Sequence, residues 1–401
     1  MKIKGFYLIF LVILISLQNS FSQNNLKITK PEKAIQYKGR PFFPIGFYFY
    51  PDDMNNKDDK ELDLLIEAGF NVIHIDIKDS SNYIPYFNQC YAKGMKIIAQ
   101  FGHDFGKFSM GDVGFLAQYK NHQALLGWSI ADDANNGKYN LDTIAYRQKE
   151  VKRQKPSLPT FLSVYKNHEK GISKSPEELL PFPDVLAYEM YTIDNWGQAM
   201  GAFSKEQELI QAEKELDIFQ KANLEKYNKI LVAIPQTFSW ASYSSNKTAK
   251  LPSRIELRNI TYTGIMNGAK GVLNYCFGQK AILDKNITEF KLPSSDSLWQ
   301  EAKLIAFEMN SLQNVLLKDQ RTKIEIKQNQ WLKITRWDMN NKTYLIISNL
   351  NKYENQELDQ SIVLKGKISN LFPNRNMTLQ YKNRKLKGNI APGEVQIVCF
   401  Q

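Results

Sequence analysis

The chain has 401 residues, of which 43% are hydrophobic and 23% are charged, and its formal net charge is +11. This length exceeds one ordinary domain but suits a barrel of about 250 residues with a small additional domain. The sequence contains no arginine-rich tract or nucleic-acid-binding motif, so a nucleic-acid partner is not expected. The excess of lysine either is generic or attracts an anionic polysaccharide.

The first 22 residues predict a cleaved secretory signal peptide. MKIKGFYLIFLVILISLQNSFS combines two early lysines with an apolar stretch over 6–17 and small residues at Ser20 and Ser22. That stretch is too short to span a bilayer, and no later stretch is long enough. We therefore expect a secreted or periplasmic protein without a transmembrane segment, with cleavage after Ser22.

From residue 41 onward, short strand-like runs alternate with longer helix-like segments. Eight runs predict buried strands, at 41–49, 72–77, 96–101, 125–132, 160–165, 185–193, 229–238 and 271–278. The segments between them repeat apolar residues at helical spacing, and several end in glycine, as in EAGFNV and AKGMKI. Eight such units favour an α/β fold, a (β/α)₈ TIM barrel over residues 23–317. No glycine-rich phosphate-binding motif follows the first strand, which argues against a nucleotide-binding fold.

After residue 318 the pattern changes to alternating apolar and polar residues. TKIEIKQ, WLKITRWDM, NNKTYLIISNL and GEVQIVCF show this alternation, and turn signals such as Pro392 followed by Gly393 separate the runs. Residues 318–401 are therefore predicted to form a small antiparallel β-sandwich domain. No aromatic cluster suggests a binding surface there, so we expect this domain to serve packing.

Cysteine and histidine give no sign of a cofactor or a metal site. The three cysteines, Cys90, Cys276 and Cys399, lack metal-ligand spacing, and an odd number cannot all pair within one chain. The four histidines are scattered without an HxxxH or HxH arrangement. We expect no bound metal, no cofactor, and stability that comes from the hydrophobic core.

The predicted strand ends carry polar and aromatic side chains that suit a carbohydrate site. In a barrel of this kind, catalytic groups stand where the strands end. The candidates at those ends are Asp76, His103, Asp132, Asp133, Glu189, Tyr191, Gln236, Trp240 and Tyr275. Each of these residues also has a purely structural explanation. Asp132 and Asp133 could form the N-terminal cap of the next helix, and Glu189 could form a buried salt bridge. Single aromatic residues commonly belong to the hydrophobic core.

Several segments in order resemble a known family. GRPFFPIGFY, EAGFNVIHI, ALLGWSIADDAN, PDVLAYEMYTI and LPSRIELRNITYTGIMNGAKGVLNYCF are similar to exported bacterial glycoside-hydrolase-like barrels related to the large retaining clan. In those relatives the fourth strand commonly reads LLGWYLADEP, and the sixth ends in DxYP. The resemblance implies a barrel that acts on carbohydrate.

The same resemblance implies roles for individual residues. Asp133 stands at the general-acid position of the fourth strand, and Asp132 stands where a side chain contacts a sugar hydroxyl. Glu189 and Tyr191 replace the Asp and Tyr of DxYP. Gln236 occupies the place at the end of the seventh strand where the clan has its carboxylate nucleophile, so a conventional double displacement between strands four and seven is not supported.

Three routes remain open for chemistry. Asp133 pairs with Glu189 across the barrel mouth, or Asp132 and Asp133 assist an N-acetyl sugar that attacks its own anomeric carbon, or the barrel binds glycans without cleaving them. We expect the first, a glycosidase with Asp133 as general acid, Glu189 as its partner, and Asp132 holding hydroxyls or raising the pKa of Asp133 through like charge. The remaining candidates are expected to contact substrate.

Overall fold

A computed structural model of the chain describes residues 25–27, 33–49, 60–77, 82–101, 116–137, 139–165, 175–194, 203–242, 249–277, 296–318, 321–326 and 329–401. The predicted signal peptide and His103 lie outside these residues. Within the described ranges, no helix combines the length and the apolar character that crossing a bilayer requires.

The chain begins with three short strands that precede the barrel. Strand β1 spans Asn25–Lys27, and β2 (Ile35–Tyr37) pairs antiparallel with β3 (Arg40–Phe42). Lys38 and Gly39 between them have φ angles of 50° and 74°, as the two-residue turn of a tight hairpin requires. Ile35 is fully buried among side chains of the barrel interior, so this hairpin covers the end where the barrel strands begin.

Eight parallel strands close into a barrel, as the sequence predicts. In chain order they are β4 (Ile45–Phe49), β5 (Val72–Ile77), β6 (Lys96–Phe101), β7 (Leu125–Ala131), β8 (Thr160–Tyr165), β9 (Val185–Met190), β10 (Ile230–Pro235) and β11 (Val272–Phe277). Nearly every described side chain in them is buried, because the helices cover the outer face and the inner face fills the barrel.

Helices pack around the barrel between its strands. They are α1 (Lys60–Glu67), α2 (Ile84–Ala92), α3 (Leu141–Gln154), α4 (Pro176–Leu179), α5 (Glu208–Lys226), α6 (Arg254–Met266) and α7 (Asp296–Leu316). Their ends follow sequence signals. Ser253 and Glu256 form a capping box at the start of α6, and Gly69 after α1 adopts a φ of 86° that favours glycine.

The C-terminal region is an antiparallel sandwich of two sheets, as predicted. Its strands are β12 (Thr322–Ile324), β13 (Leu332–Met339), β14 (Lys342–Asn349), β15 (Gln356–Ser361), β16 (Ile368–Asn370), β17 (Gln380–Lys382), β18 (Lys385–Ile390) and β19 (Val395–Phe400). One sheet has the order β1-β12-β13-β14-β19-β16 and the other the order β15-β18-β17. The segment 25–27 thus joins a sheet built mostly from the other end of the chain.

Buried ion pairs connect the sandwich to the barrel helices. Arg375 of the sandwich donates to Glu301 and Glu308 of α7, each at 2.7 Å, and Arg258 of α6 also pairs with Glu308. Asn259 donates to the backbone carbonyls of Asn349 and Gly393 at 2.8 and 2.9 Å. These bonds hold the barrel and the sandwich in a fixed arrangement.

Candidate active site at the barrel mouth

The mouth is the end of the barrel at which the eight strands finish. Strand β7 ends at Ala131, so Asp132 and Asp133 follow it directly. The next helix, α3, is capped by Asn140, whose side chain accepts a hydrogen bond from Thr143 N at 2.6 Å. The two aspartates are therefore not the cap of that helix.

Asp132 is held by two hydroxyl groups from other strands. Its Oδ1 accepts hydrogen bonds from Tyr48 of β4 at 3.0 Å and from Ser163 of β8 at 2.6 Å. Its side chain is buried. Two donors on one oxygen fix the orientation of the carboxylate, so Asp132 lies at the inner side of the mouth.

Asp133 adopts a backbone conformation that is rare for aspartate. Its φ is 48°, and its backbone N–H donates to Ser163 Oγ at 2.8 Å. A non-glycine residue in this region costs about 1 to 3 kcal/mol and often marks a functional site. Strained backbone here turns the Asp133 side chain away from the direction that a continuing strand would give it.

Glu189 of β9 faces the two aspartates. Its side chain lies close enough to Ser163, Asp133 and Asp132 for each of them to shift its pKa. Burial raises the pKa of Glu189 well above its ordinary value, and the nearby charges of Asp133 and Asp132 raise it further. No lysine or arginine of the described residues pairs with it, so the expected structural alternative, a salt bridge, is absent from this part of the chain.

Ser163 connects the three acids. It donates to Asp132 and accepts from the Asp133 backbone, and its hydroxyl also lies beside Glu189. The Ser163 hydroxyl favours the ionised form of Glu189 and so lowers its pKa, which opposes the larger effect of burial.

Aromatic rings line one side of the mouth. Tyr275 lies 5.3 Å from Tyr48, 5.8 Å from Tyr191 and 5.5 Å from Phe238, measured between ring centroids. Trp240 lies 5.1 Å from Phe238 and 6.3 Å from Tyr191. Tyr191, Trp240 and Tyr275 are only partly buried, so the structure brings the three predicted aromatic residues together on one open surface.

Polar side chains continue below the aromatic rings on strands β5 and β6. The ring of His74 stacks on Tyr48 at 4.0 Å, and Asp76, two residues further along β5, shares its face. Asp76 pairs in register with Gln100 of β6, and both side chains are buried. The predicted candidate Asp76 therefore lies inside the barrel near its mouth.

Gln236 differs from the sequence prediction. Its side chain is fully buried, and its amide accepts from Ile193 N and donates to the carbonyls of Ile193 and Phe238, each at 3.0 Å. Both amide hydrogens are used in these bonds. Gln236 thus ties the segment after β9 to the segment after β10, and this geometry does not favour the predicted contact with substrate.

Two residues of the mouth were not predicted, namely Tyr48 and Ser163. Tyr48 lies within the apolar run IGFYF and Ser163 within TFLSVY, where either residue type is ordinary. Only the alternation of side chains along the predicted strands, which points Tyr48 and Ser163 inward, could have indicated a role.

Among the described residues, no group of three or more acids, histidines or cysteines is arranged to hold a metal ion.

Solved structures that superpose on this chain include glycoside hydrolases. Amy13B of Eubacterium rectale superposes with a TM-score of 0.59 at 11% identity, covering 93% of this chain and 97% of that one. A protein described as a glycoside hydrolase gives 0.58 at 14% identity, covering 94% and 97%. An alpha-amylase from Lactobacillus plantarum gives 0.56 at 12% identity, covering 90% and 98%.

No family model and no curated protein matches the sequence. The chain therefore has the fold of the glycoside-hydrolase (β/α)₈ barrels with a C-terminal β-domain, and this likeness concerns the fold alone.

Proposed function

We propose that the chain is a glycoside hydrolase in which Glu189 is the general acid and base and Asp133 is the nucleophile. The observation that carries the proposal is the pair of neighbouring carboxyl groups at the barrel mouth, in which burial and the charge of Asp133 raise the pKa of Glu189. Hydrolysis of a glycosidic bond needs two carboxyl groups with different pKa values, so that one is protonated while the other is ionised. The fold shared with glycoside hydrolases supports the same class of reaction.

Glu189 is the better general acid of the two. A carboxyl group whose pKa is raised keeps its proton to higher pH than an ordinary glutamic acid and can deliver it to the leaving oxygen of the glycosidic bond. This exchanges the roles expected from the resemblance, where Asp133 is the acid. Asp133 then attacks the anomeric carbon as a carboxylate, and the Glu189 carboxylate that remains takes a proton from the water that releases the sugar.

The closeness of the two groups supports retention of configuration. Inverting enzymes keep their carboxyl groups about 6.5 to 9.5 Å apart to admit a water molecule, whereas retaining enzymes keep them about 5 to 5.5 Å apart. Asp133 lies near enough to Glu189 to raise its pKa, so we expect the shorter spacing and retention.

Other residues of the mouth suit the binding of a neutral sugar. Tyr191, Trp240 and Tyr275 offer ring faces, and Asp132 and Asp76 offer acceptors for hydroxyl groups. Asp132 and Asp133 lie close enough to Glu189 to raise its pKa, so three acids gather in the described part of the mouth. An anionic polysaccharide would meet repulsion here, so we favour an uncharged glycan over the anionic one suggested by net charge.

A glycan-binding barrel without hydrolysis is the second candidate. Gln236 favours it, because this position at the end of the seventh strand carries no carboxylate and its amide is used up by backbone groups. Such a protein would bind through the aromatic surface and leave the linkage intact.

Hydrolysis of a panel of neutral and uronic-acid oligosaccharides tests the proposal, with NMR of the first product reporting the anomer formed. We expect turnover of a neutral glycan with retention, which Glu189→Gln and Asp133→Asn abolish. Glu213→Gln is the matched control, since Glu213 is a buried acid paired with Lys333 far from the mouth. Turnover that survives both mouth substitutions overturns the site, and binding by the native protein without turnover supports the second candidate.

A further inference from the structure

Two lysines and two tyrosines meet at the base of the barrel, the end opposite the mouth. Lys96 is the first residue of β6, and Lys38 lies in the turn of the β2–β3 hairpin. Lys96 Nζ lies 4.7 Å from the ring centre of Tyr37 and 5.7 Å from that of Tyr91. Lys38 Nζ lies 5.5 Å from each of the same two rings. We call these four residues the lysine–tyrosine site.

Lys96 differs from the other buried lysines in lacking an acceptor. Lys270 donates to the carbonyls of Leu316 and Lys318 at 2.9 and 2.8 Å, and Lys352 pairs with two glutamates. The side chain of Lys96 is only 8% exposed, yet no described acid or carbonyl accepts from its ammonium group. The two ring faces attract the ammonium group in place of an acceptor.

The second cation makes the site more selective. Lys38 is held in place because its turn is tight and because Tyr37 beside it donates its hydroxyl to Gln123 O at 3.0 Å. Lys38 also has no ion-pair partner among the described residues. Two ammonium groups over the same two rings repel each other unless an anion lies between them.

We propose that the lysine–tyrosine site binds a sulfate or phosphate group, with Lys96 as the buried contact and Lys38 as the exposed one. A tetrahedral oxyanion has enough oxygens to accept from both ammonium groups at once. Tyr91 is 43% exposed, so its ring can also support a sugar that carries the group. The site is independent of the activity proposed for the mouth, and it gives the positive charge of the chain a specific place to act.

Calorimetric titration of the full chain with sodium sulfate, against sodium chloride at equal ionic strength, tests the site. We expect sulfate to bind, and Lys96→Met to weaken it about tenfold or more, since a charge-assisted hydrogen bond is lost. Lys38→Met provides the same test at an exposed position. Lys303→Met is the matched control, because Lys303 lies over one ring, Trp299 at 5.9 Å, without a second lysine.

A sulfated oligosaccharide and its desulfated form distinguish the sources of the anion. Tighter binding of the sulfated sugar than of inorganic sulfate identifies a glycan ligand, and equal binding identifies a free anion; both support the site. Sulfate that binds no better than chloride overturns the proposal, as does unchanged sulfate affinity in both lysine variants. We also expect Lys96→Met to leave the unliganded protein at least as stable as the native chain, because the substitution removes one of two ammonium groups that repel each other over the same rings.

Discussion

Buried carboxyl groups occur in two regions of this molecule, and the two differ in what surrounds them. At the junction of barrel and sandwich, Glu301 and Glu308 each lie against arginine, with Arg375 bonded to both. At the barrel mouth, Glu189 lies beside Asp133 and Asp132, and their like charges raise its pKa. At the junction, arginine side chains neutralise the buried carboxylates, whereas at the mouth the carboxyl groups lie next to one another.

The difference separates acids that stabilise the protein from acids available for chemistry. A buried carboxylate with a well-placed arginine is costly to disrupt. Neighbouring carboxyl groups destabilise the folded chain and raise the pKa of one another, and perturbed pKa values are common at catalytic sites. Substitution should therefore affect stability in the first region and activity in the second.

The largest expected effect is on activity at the mouth. Glu189→Gln should lower kcat/KM about 10³-fold, because the amide cannot donate a proton as a general acid does. The melting temperature should stay the same or rise, since the substitution removes a like-charge contact. Steady-state rates and thermal unfolding of the same preparation measure both quantities, and a large loss of stability would place Glu189 with the structural acids instead.

The next largest effect is on stability at the junction. Arg375→Met should lower the free energy of unfolding by about 3 kcal/mol, because it leaves two buried glutamates without their shared partner. Urea unfolding measures this change. Arg336→Met is the control, since Arg336 pairs with the exposed Asp338 and should cost less than about 1 kcal/mol. Equal costs for the two substitutions would contradict the contrast between the regions.

A smaller effect is expected at Gln236. Gln236→Glu should destabilise the chain by about 2 kcal/mol, because oxygen replaces an amide nitrogen that donates to two carbonyls. The new carboxylate should not raise activity. A rise in hydrolysis, with stability kept, would show instead that this position accepts the role of a strand-seven nucleophile.

The smallest effect is a pH dependence of stability. The folded-state pKa of Glu189 is raised above its unfolded value, so its contribution to stability is complete below the unfolded pKa and is lost as pH rises through the folded pKa. Each tenfold difference in proton affinity is worth about 1.4 kcal/mol. Glu189→Gln should therefore be more stabilising at pH 8 than at pH 4, as urea unfolding at both values can measure. A difference that grows toward low pH would contradict the raised pKa.

Much of the barrel could be predicted because its strands are continuous apolar runs. The predicted bounds 72–77, 96–101 and 160–165 coincide with β5, β6 and β8. The run 41–49 was predicted as one strand, whereas the structure divides it between β3 and β4. The apolar character of the sequence continues through the break between β3 and β4, because the β2–β3 hairpin also packs on the barrel. Periodicity therefore could not reveal the break.

The site was predictable where an acid ends or interrupts an apolar strand, as at Asp132, Asp133 and Glu189. It was not predictable where the residue type is ordinary for a strand, as at Tyr48 and Ser163. Their bonds to Asp132 join residues 84 and 31 positions apart, and only closure of the barrel creates them. Gln236 was predicted to contact substrate, and the hydrogen bonds that its buried amide makes to Ile193 and Phe238 are tertiary contacts that one sequence does not contain.

Strand β1 affects how the chain folds during synthesis and whether the barrel can be produced without the sandwich. Asn25 pairs with Ile324, so this strand leaves the ribosome long before its partner exists. Such distant pairings form slowly, because a long loop must close first. A barrel produced alone over residues 23–317 would keep β1 without its partner, and we expect that open edge to pair with a second chain and promote aggregation.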